Sequence, residues 1–252
     1  MSAVRVSCHR LAPAAGDLRG NCERVADTLS SAADAGADVI VLPELATSGH
    51  VFESGREAAS AALTAGEVFA LGSVALWGSA AVAVVGFCER GEHGRLYNSA
   101  AVMDADGGFA VYRKAHLSNA EKRFFTAGSE PPPVVPTAAG RLGVLVGHDL
   151  EFPQLTGLVA LAGADLLAVP GDWPLPGAPS AGTMIARAAA RTNRFFVACC
   201  DRAGTRPWAE GTVIVDRDGR VVAAPDADGT AVAAVEFGLA KSRRSLSISA
   251  IR

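Results

Sequence analysis

A repeated piece of punctuation limits the folds open to this chain more than any other feature. Gly36-Ala37-Asp38 leads through Val39, Ile40, Val41 and Leu42 to Pro43, and Gly163-Ala164-Asp165 leads through Leu166, Leu167, Ala168 and Val169 to Pro170. Each follows a stretch with helical periodicity. A short, continuous apolar run closed by proline is typical of a strand buried on both faces. A second echo sits between strand-like runs, where hairpin turns belong: Asp104-Ala105-Asp106-Gly107 and Asp216-Arg217-Asp218-Gly219. Together the echoes divide the chain into two similar halves. A sheet with helices on one face must bury its other face, so two such halves would pack sheet to sheet with helices outside.

The elements follow from the same patterns. Strands are expected over residues 4–10, 39–42, 81–87, 96–103, 109–113, 142–146, 166–169, 195–200, 212–215, 221–224 and 231–237. Helices are expected over 17–35, capped by Asp17, and over 58–71, 154–162 and 181–193. Pro131-Pro132-Pro133 with Pro136 reads as a stiff loop inside the domain, too short for an interdomain linker. Residues 1–237 thus form one domain, and 238–252 a tail with no core pattern of its own.

Composition narrows the function classes. With 252 residues the chain can bury a full core. Its net charge of −3 gives no footing for nucleic acid or a polybasic membrane contact. Mean hydropathy is +0.25, yet no run approaches the roughly 18 apolar residues of a membrane helix. The N-terminus lacks the basic start and apolar core of a signal peptide, which points to the cytoplasm. The five cysteines, Cys8, Cys22, Cys88, Cys199 and Cys200, have no metal or redox spacing, and the histidines form no ligand pair. Adjacent Cys199 and Cys200 lie in an apolar run and read as small buried hydrophobes.

Four segments carry candidate chemistry. Glu44 follows a buried strand and Pro43, at the mouth of a sheet, where a carboxylate suits a general base. Taken alone, it fits a solvated loop equally well. Lys114, flanked by Tyr112 and Leu117, could stabilise an oxyanion with Glu121 holding its ammonium. On its own this stretch reads more readily as a basic surface, because Arg113, Lys122 and Arg123 are also cationic. Residues 142–153 turn abruptly from strand to helix, the geometry of a nucleophile elbow. Asp172 and Trp173 end the next strand near the same edge.

In this order and spacing, the segments resemble the nitrilase, or carbon–nitrogen hydrolase, superfamily along nearly the whole chain. Leu42-Pro43-Glu44-Leu45 resembles the motif of the catalytic Glu, and Tyr112-Arg113-Lys114-Ala115-His116-Leu117 that of the catalytic Lys. Glu121 matches the second, Lys-supporting Glu. The resemblance implies an α/β fold, a four-layer α-β-β-α sandwich of two mixed sheets packed face to face. It also implies a small-molecule substrate, a homodimer or higher assembly completed by the C-terminal tail, and no metal or cofactor.

One position departs from the pattern. The family places its nucleophilic Cys two residues before the elbow Asp, and aligned on Asp149 that position is Gly147. Loss of a nucleophile commonly costs about 10⁴–10⁶ in rate, so thiol-dependent hydrolysis is expected to be absent. The expected function is a repurposed enzyme in which Glu44, Lys114 and Glu121 do non-covalent acid/base chemistry of cyclase, lyase or isomerase type on a small amine, imine or amide. The alternatives are a metabolite- or protein-binding pseudoenzyme and an amidase whose nucleophile has been mutated away. Gly147, His148, Asp172, Trp173 and His50 are the candidate substrate contacts. His148 also reads as a ring packed beside the elbow, since its side chain points away from that of its neighbour.

Overall fold

Alternation within short strands sets the layering. In β2 (Val39–Val41) and the residue after it, Val39 and Val41 join one apolar cluster while Ile40 and Leu42 join another. Neighbouring β3 (Val82–Arg90) repeats this, with Val82 and Val84 on the first side and Ala83 and Val85 on the second. Successive side chains of a strand point to opposite faces, so this sheet is buried on both. The computed structural model describes residues 3–49, 52–173, 181–203 and 211–237. His50 and the tail 238–252 lie outside the described residues.

The first sheet is completed by β1 (Val4–His9), β4 (Leu96–Asp104), β5 (Gly107–Arg113) and β12 (Thr230–Val235), in the order β12-β1-β2-β3-β4-β5. The second contains β6 (Val134–Thr137), β7 (Gly140–Val144), β8 (Leu166–Gly171), β9 (Phe196–Asp201), β10 (Val213–Val215) and β11 (Val221–Ala223), in the order β11-β10-β9-β8-β7-β6. Each has three parallel strands at its centre, β1-β2-β3 or β7-β8-β9, followed by two antiparallel ones. Each also gains one antiparallel strand on the other side, β12 on β1 and β6 on β7. The sequence echoes fall at matching places: the Gly-Ala-Asp triplets precede the middle strands, and the Asp-x-Asp-Gly segments join β4 to β5 and β10 to β11.

Between the sheets, Val6, Val41 and Val84 share a cluster with Val144, Ala168 and Ile214. Outside the first sheet, α1 (Leu18–Asp34) and α3 (Ala65–Ala75) bring Val25, Leu29 and Val68 onto Ile40, Ala83 and Val85. Outside the second lie α4 (Pro153–Leu161) and α5 (Ala181–Asn193), through Val159, Ala186 and Ala190. The four-layer α-β-β-α sandwich expected from the sequence is the observed fold.

Three local expectations need correction. The helix expected over 58–71 is two helices, α2 (Gly55–Ser60) and α3. Leu63 breaks it by pairing with β3, accepting the Arg90 N–H at 2.8 Å and donating to Cys88 O at 2.9 Å. Thr64 and Glu67 then cap α3 reciprocally. The proline-rich loop runs into β6, where Pro136 is tolerated because β6 is an edge strand. Ahead of α4, a 3₁₀ turn over Gly147–Glu151 occupies the elbow.

Candidate active site

Four segments converge at one end of the sheets. The chain leaving β2 crosses β3 at Gly86, where an added Cβ would lie 2.7 Å from Glu44 Cα and 2.9 Å from Leu45 N, so only glycine fits. Leu45 then takes a left-handed conformation (φ 50°), a strain of the kind that clusters at functional sites. The Glu44 N–H donates to Gly171 O at the end of β8 (3.4 Å), which sets Glu44 between the two sheets. Lys114 follows β5 directly, and its N–H extends the ladder to Asn98 O on β4 (2.8 Å). Glu121 begins a short 3₁₀ turn, Glu121–Arg123, and its Oε2 accepts the Ser118 N–H at 2.8 Å.

The side chains close into a ring. Lys114 Nζ donates to Glu44 Oε1 (2.7 Å) and to Glu121 Oε1 (2.8 Å). Asn98 Nδ2 donates to the same two oxygens, at 2.6 and 2.7 Å. All four residues are at most 4% exposed. Burial alone would lower the Lys114 pKa, but the charges and hydrogen bonds of Glu44 and Glu121 outweigh it, and the net direction is upward. Burial would raise that of Glu121, but Lys114, the Ser118 amide and Asn98 hold it below its ordinary range. The ammonium keeps a third N–H that can donate to negative charge on a ligand.

Gly147 stands beside this ring. Its φ of +44° is left-handed, and a Cβ built there would collide with Glu44 Oε2 and lie 3.2 Å from Glu44 Cδ. Two residues on, Asp149 is fully buried and ties the elbow to the Lys114 segment. It accepts from Tyr112 OH (2.9 Å), the Ala115 N–H (3.2 Å), the His116 N–H (2.8 Å) and His116 Nδ1 (2.8 Å). The His116 ring stacks on Phe152 at 3.5 Å.

His148 meets Phe152 edge-on at 5.2 Å and its Nδ1 lies 3.2 Å from Glu151, so it packs beside the elbow. It also lines a cavity of about 650 Å³ with His116, Lys122, Phe125 and Phe152; Gly147, Asp172 and Trp173 are not in that lining. Asp172 accepts from Arg202 Nη1 at 3.2 Å. The Trp173 ring covers Gly182 and Gly211, at 3.0 and 2.8 Å from their Cβ positions. Cys8 and Cys200 lie in the core between the sheets, Cys199 on the opposite, helix-covered face of β9, Cys88 in a smaller cluster with Leu45, and Cys22 against the core under α1. Burial pushes the Cys88 thiol up to about 12 and raises those of Cys22, Cys199 and Cys200. Among the described residues, no group of three or more His, Cys, Asp or Glu is placed to hold a metal, and no helix is long and apolar enough to cross a membrane.

Sequence reasoning missed Asn98 and gave Asp149 no role beyond alignment. The available signal was a polar residue inside an otherwise apolar strand, and an acid inside an elbow. It also gave no individual role to Asp201, which ends β9. Burial raises the Asp201 pKa to about 6; the Trp173 and Arg202 amides oppose this and Asp172 adds to it. A raised carboxyl value stabilises the fold below its unfolded pKa, and that stabilisation is lost as pH rises through about 6. Melting curves are therefore expected to fall between pH 4 and 7 by the equivalent of roughly 3 kcal/mol from this group. Asp201→Asn should flatten that segment; an unchanged slope would refute the assignment.

Comparison with known proteins adds the lineage. Residues 5–245 match the family model described as Carbon-nitrogen hydrolase. The chain is 34% identical over 205 residues to "Hydrolase in pqqF 5'region" of Pseudomonas protegens, covering 80% of this chain and 70% of that one. It is 33% identical over 202 residues to the 2-oxoglutaramate amidase of Bacillus subtilis, covering 74% and 73%. The fold superposes on an amidase from Nesterenkonia sp. with a TM-score of 0.79 at 23% identity, covering 96% and 94%. With its doubled sheets and its match over nearly the full length, the chain belongs to the carbon–nitrogen hydrolase family, the nitrilase superfamily.

Proposed function

We propose that this protein is a small-molecule enzyme of its family that works without a cysteine nucleophile. Glu44, Lys114 and Glu121 are its catalytic residues, in acid/base chemistry of cyclase, lyase or isomerase type on a small amine, imine or amide. The observation that carries this reading is Gly147, set against Glu44 Oε2 at the elbow while the cysteines pack elsewhere. Glu44 moves the proton, Lys114 steadies the negative charge that develops, and Glu121 holds the ammonium in place. Gly147, His148, Asp172, Trp173 and His50 contact the substrate. The chemistry needs no metal or cofactor.

A second reading is a binding protein without turnover, or an amidase disabled at its nucleophile. It draws on the Nesterenkonia amidase, of which a variant with alanine in place of a cysteine has been solved in complex with butyramide.

Gly147→Cys separates these readings. The new side chain must push the Glu44 carboxylate aside and tolerate a left-handed backbone, which costs about 1–2 kcal/mol. Native turnover, assayed on the co-purifying small molecule identified by mass spectrometry, is expected to be lost without gain of hydrolysis. Gain of iodoacetamide-sensitive hydrolysis of acetamide or butyramide would favour the disabled amidase instead. No effect on binding or turnover would mean that position 147 does not face the site.

We also propose a homodimer, with residues 238–252 reaching the neighbouring subunit. Leu158 and Leu161 on α4 and Met184 on α5 are 46%, 78% and 63% exposed, an apolar outer surface suited to self-association. Light scattering should give at least twice 25.7 kDa; a monomer at working concentration would count against it.

A further inference from the structure

We infer that Asn98 is a positioning residue that decides which oxygen of Glu44 exchanges a proton with the substrate, an inference that rests on the acid/base role proposed for Glu44. The Asn98 amide nitrogen has two hydrogens, and one goes to each carboxylate, at 2.6 and 2.7 Å. Charge fixes this orientation: the reverse would set a carbonyl oxygen against two carboxylate oxygens. The cost appears on the other side of the amide, where buried Asn98 Oδ1 has no hydrogen-bond partner among the described residues. An apolar side chain of the same shape would avoid that cost, so the residue is explained by what its N–H bonds do.

Those bonds make the two carboxylates unlike. Glu121 is held at both oxygens, Oε1 by Asn98 and Lys114 and Oε2 by the Ser118 amide, which suits a fixed counter-ion. Glu44 is held at Oε1 by two donors, and its Oε2 is turned to Gly147. An oxygen that already accepts two charge-assisted hydrogen bonds is the poorer base, so the proton moves at Oε2, facing the elbow. With Lys114 alone on Oε1, the carboxylate could turn over and exchange the two roles. Asn98 is the second donor that prevents this.

The test uses Asn98→Leu and Asn98→Asp, read first by the ¹³C NMR titration of the Glu44 δ-carbon, which needs no substrate. Losing a donor to the charged form should move that titration to higher pH in Asn98→Leu. Asn98→Asp, which sets a third carboxyl against the other two, should move it further. In turnover, kcat should fall about 10- to 100-fold with KM nearly unchanged, and the pH profile should shift in the same direction as the NMR titration. An unchanged Glu44 titration in either folded variant would overturn the inference. A moved titration together with full turnover in Glu44→Gln would keep the positioning role and overturn the proposed chemistry instead.

Discussion

Replacing Lys114 with Met is expected to lower the melting temperature by roughly 6–20 °C at neutral pH. The ammonium is 4% exposed and lies between two carboxylates that are themselves buried. Removing one member of such a group leaves uncompensated buried charge, typically a loss of about 3–5 kcal/mol, and for a chain of this size each kcal/mol shifts Tm by about 2–4 °C. The sign with pH follows from the two shifts. The depressed Glu121 contributes stability above its unfolded pKa, lost as pH falls through the lower folded value. The raised Lys114 contributes below its unfolded pKa, lost as pH rises through the higher folded one. Without Lys114, Glu121 loses the partner that held its value down, so the variant should be least impaired in acid. Adding Glu44→Gln and Glu121→Gln to Lys114→Met should restore much of the loss. A drop below about 2 °C, read by differential scanning fluorimetry, would show that the cluster is not the buried charge group described.

Glu44→Gln is expected to remove nearly all turnover, by about 10²–10⁴-fold, the usual contribution of a positioned acid or base. The amide keeps the shape of the carboxylate and can still accept from Lys114 and Asn98, but it cannot take a proton. Melting temperature should therefore change much less than in Lys114→Met. Steady-state rates and melting curves on one preparation decide the matter, and turnover close to the native rate would sink the acid/base assignment.

How much of this the sequence discloses depends on whether the information is local. Glu44 and Lys114 each sit at the exit of a patterned element, yet taken alone one fits a solvated loop equally well and the other reads more readily as a basic surface; the order and spacing of the four segments, with the family resemblance, single them out and mark Gly147. The layering was readable, since alternation in short strands and the two pairs of echoes are local patterns. Asn98 was not, because a single amide in an apolar strand becomes informative only when residues 44 and 121 are seen to meet it. Asp149 is similar: its four donors come from residues 112–116, more than 30 positions away. The break between α2 and α3 was hidden because Ala61, Ala62 and Leu63 continue an apolar helical pattern, and only pairing with β3 pulls Leu63 out of it. In β6, prolines masked a strand that an edge position permits.

The fastening of the two halves by Asp149 and by the Glu44–Gly171 hydrogen bond bears on how the molecule comes apart. The ring of Glu44, Asn98, Lys114 and Glu121 belongs to the first half, and Gly147 and Asp149 belong to the second. A ligand seated between them would engage both halves at once and only in the docked state. Its binding would then stabilise the native form against separation of the halves by RT ln(1 + [L]/Kd), about 2.7 kcal/mol at a hundredfold excess over Kd. Saturating ligand would make unfolding more cooperative, and the last partly unfolded species to lose binding would be those in which the two sheets had not yet separated.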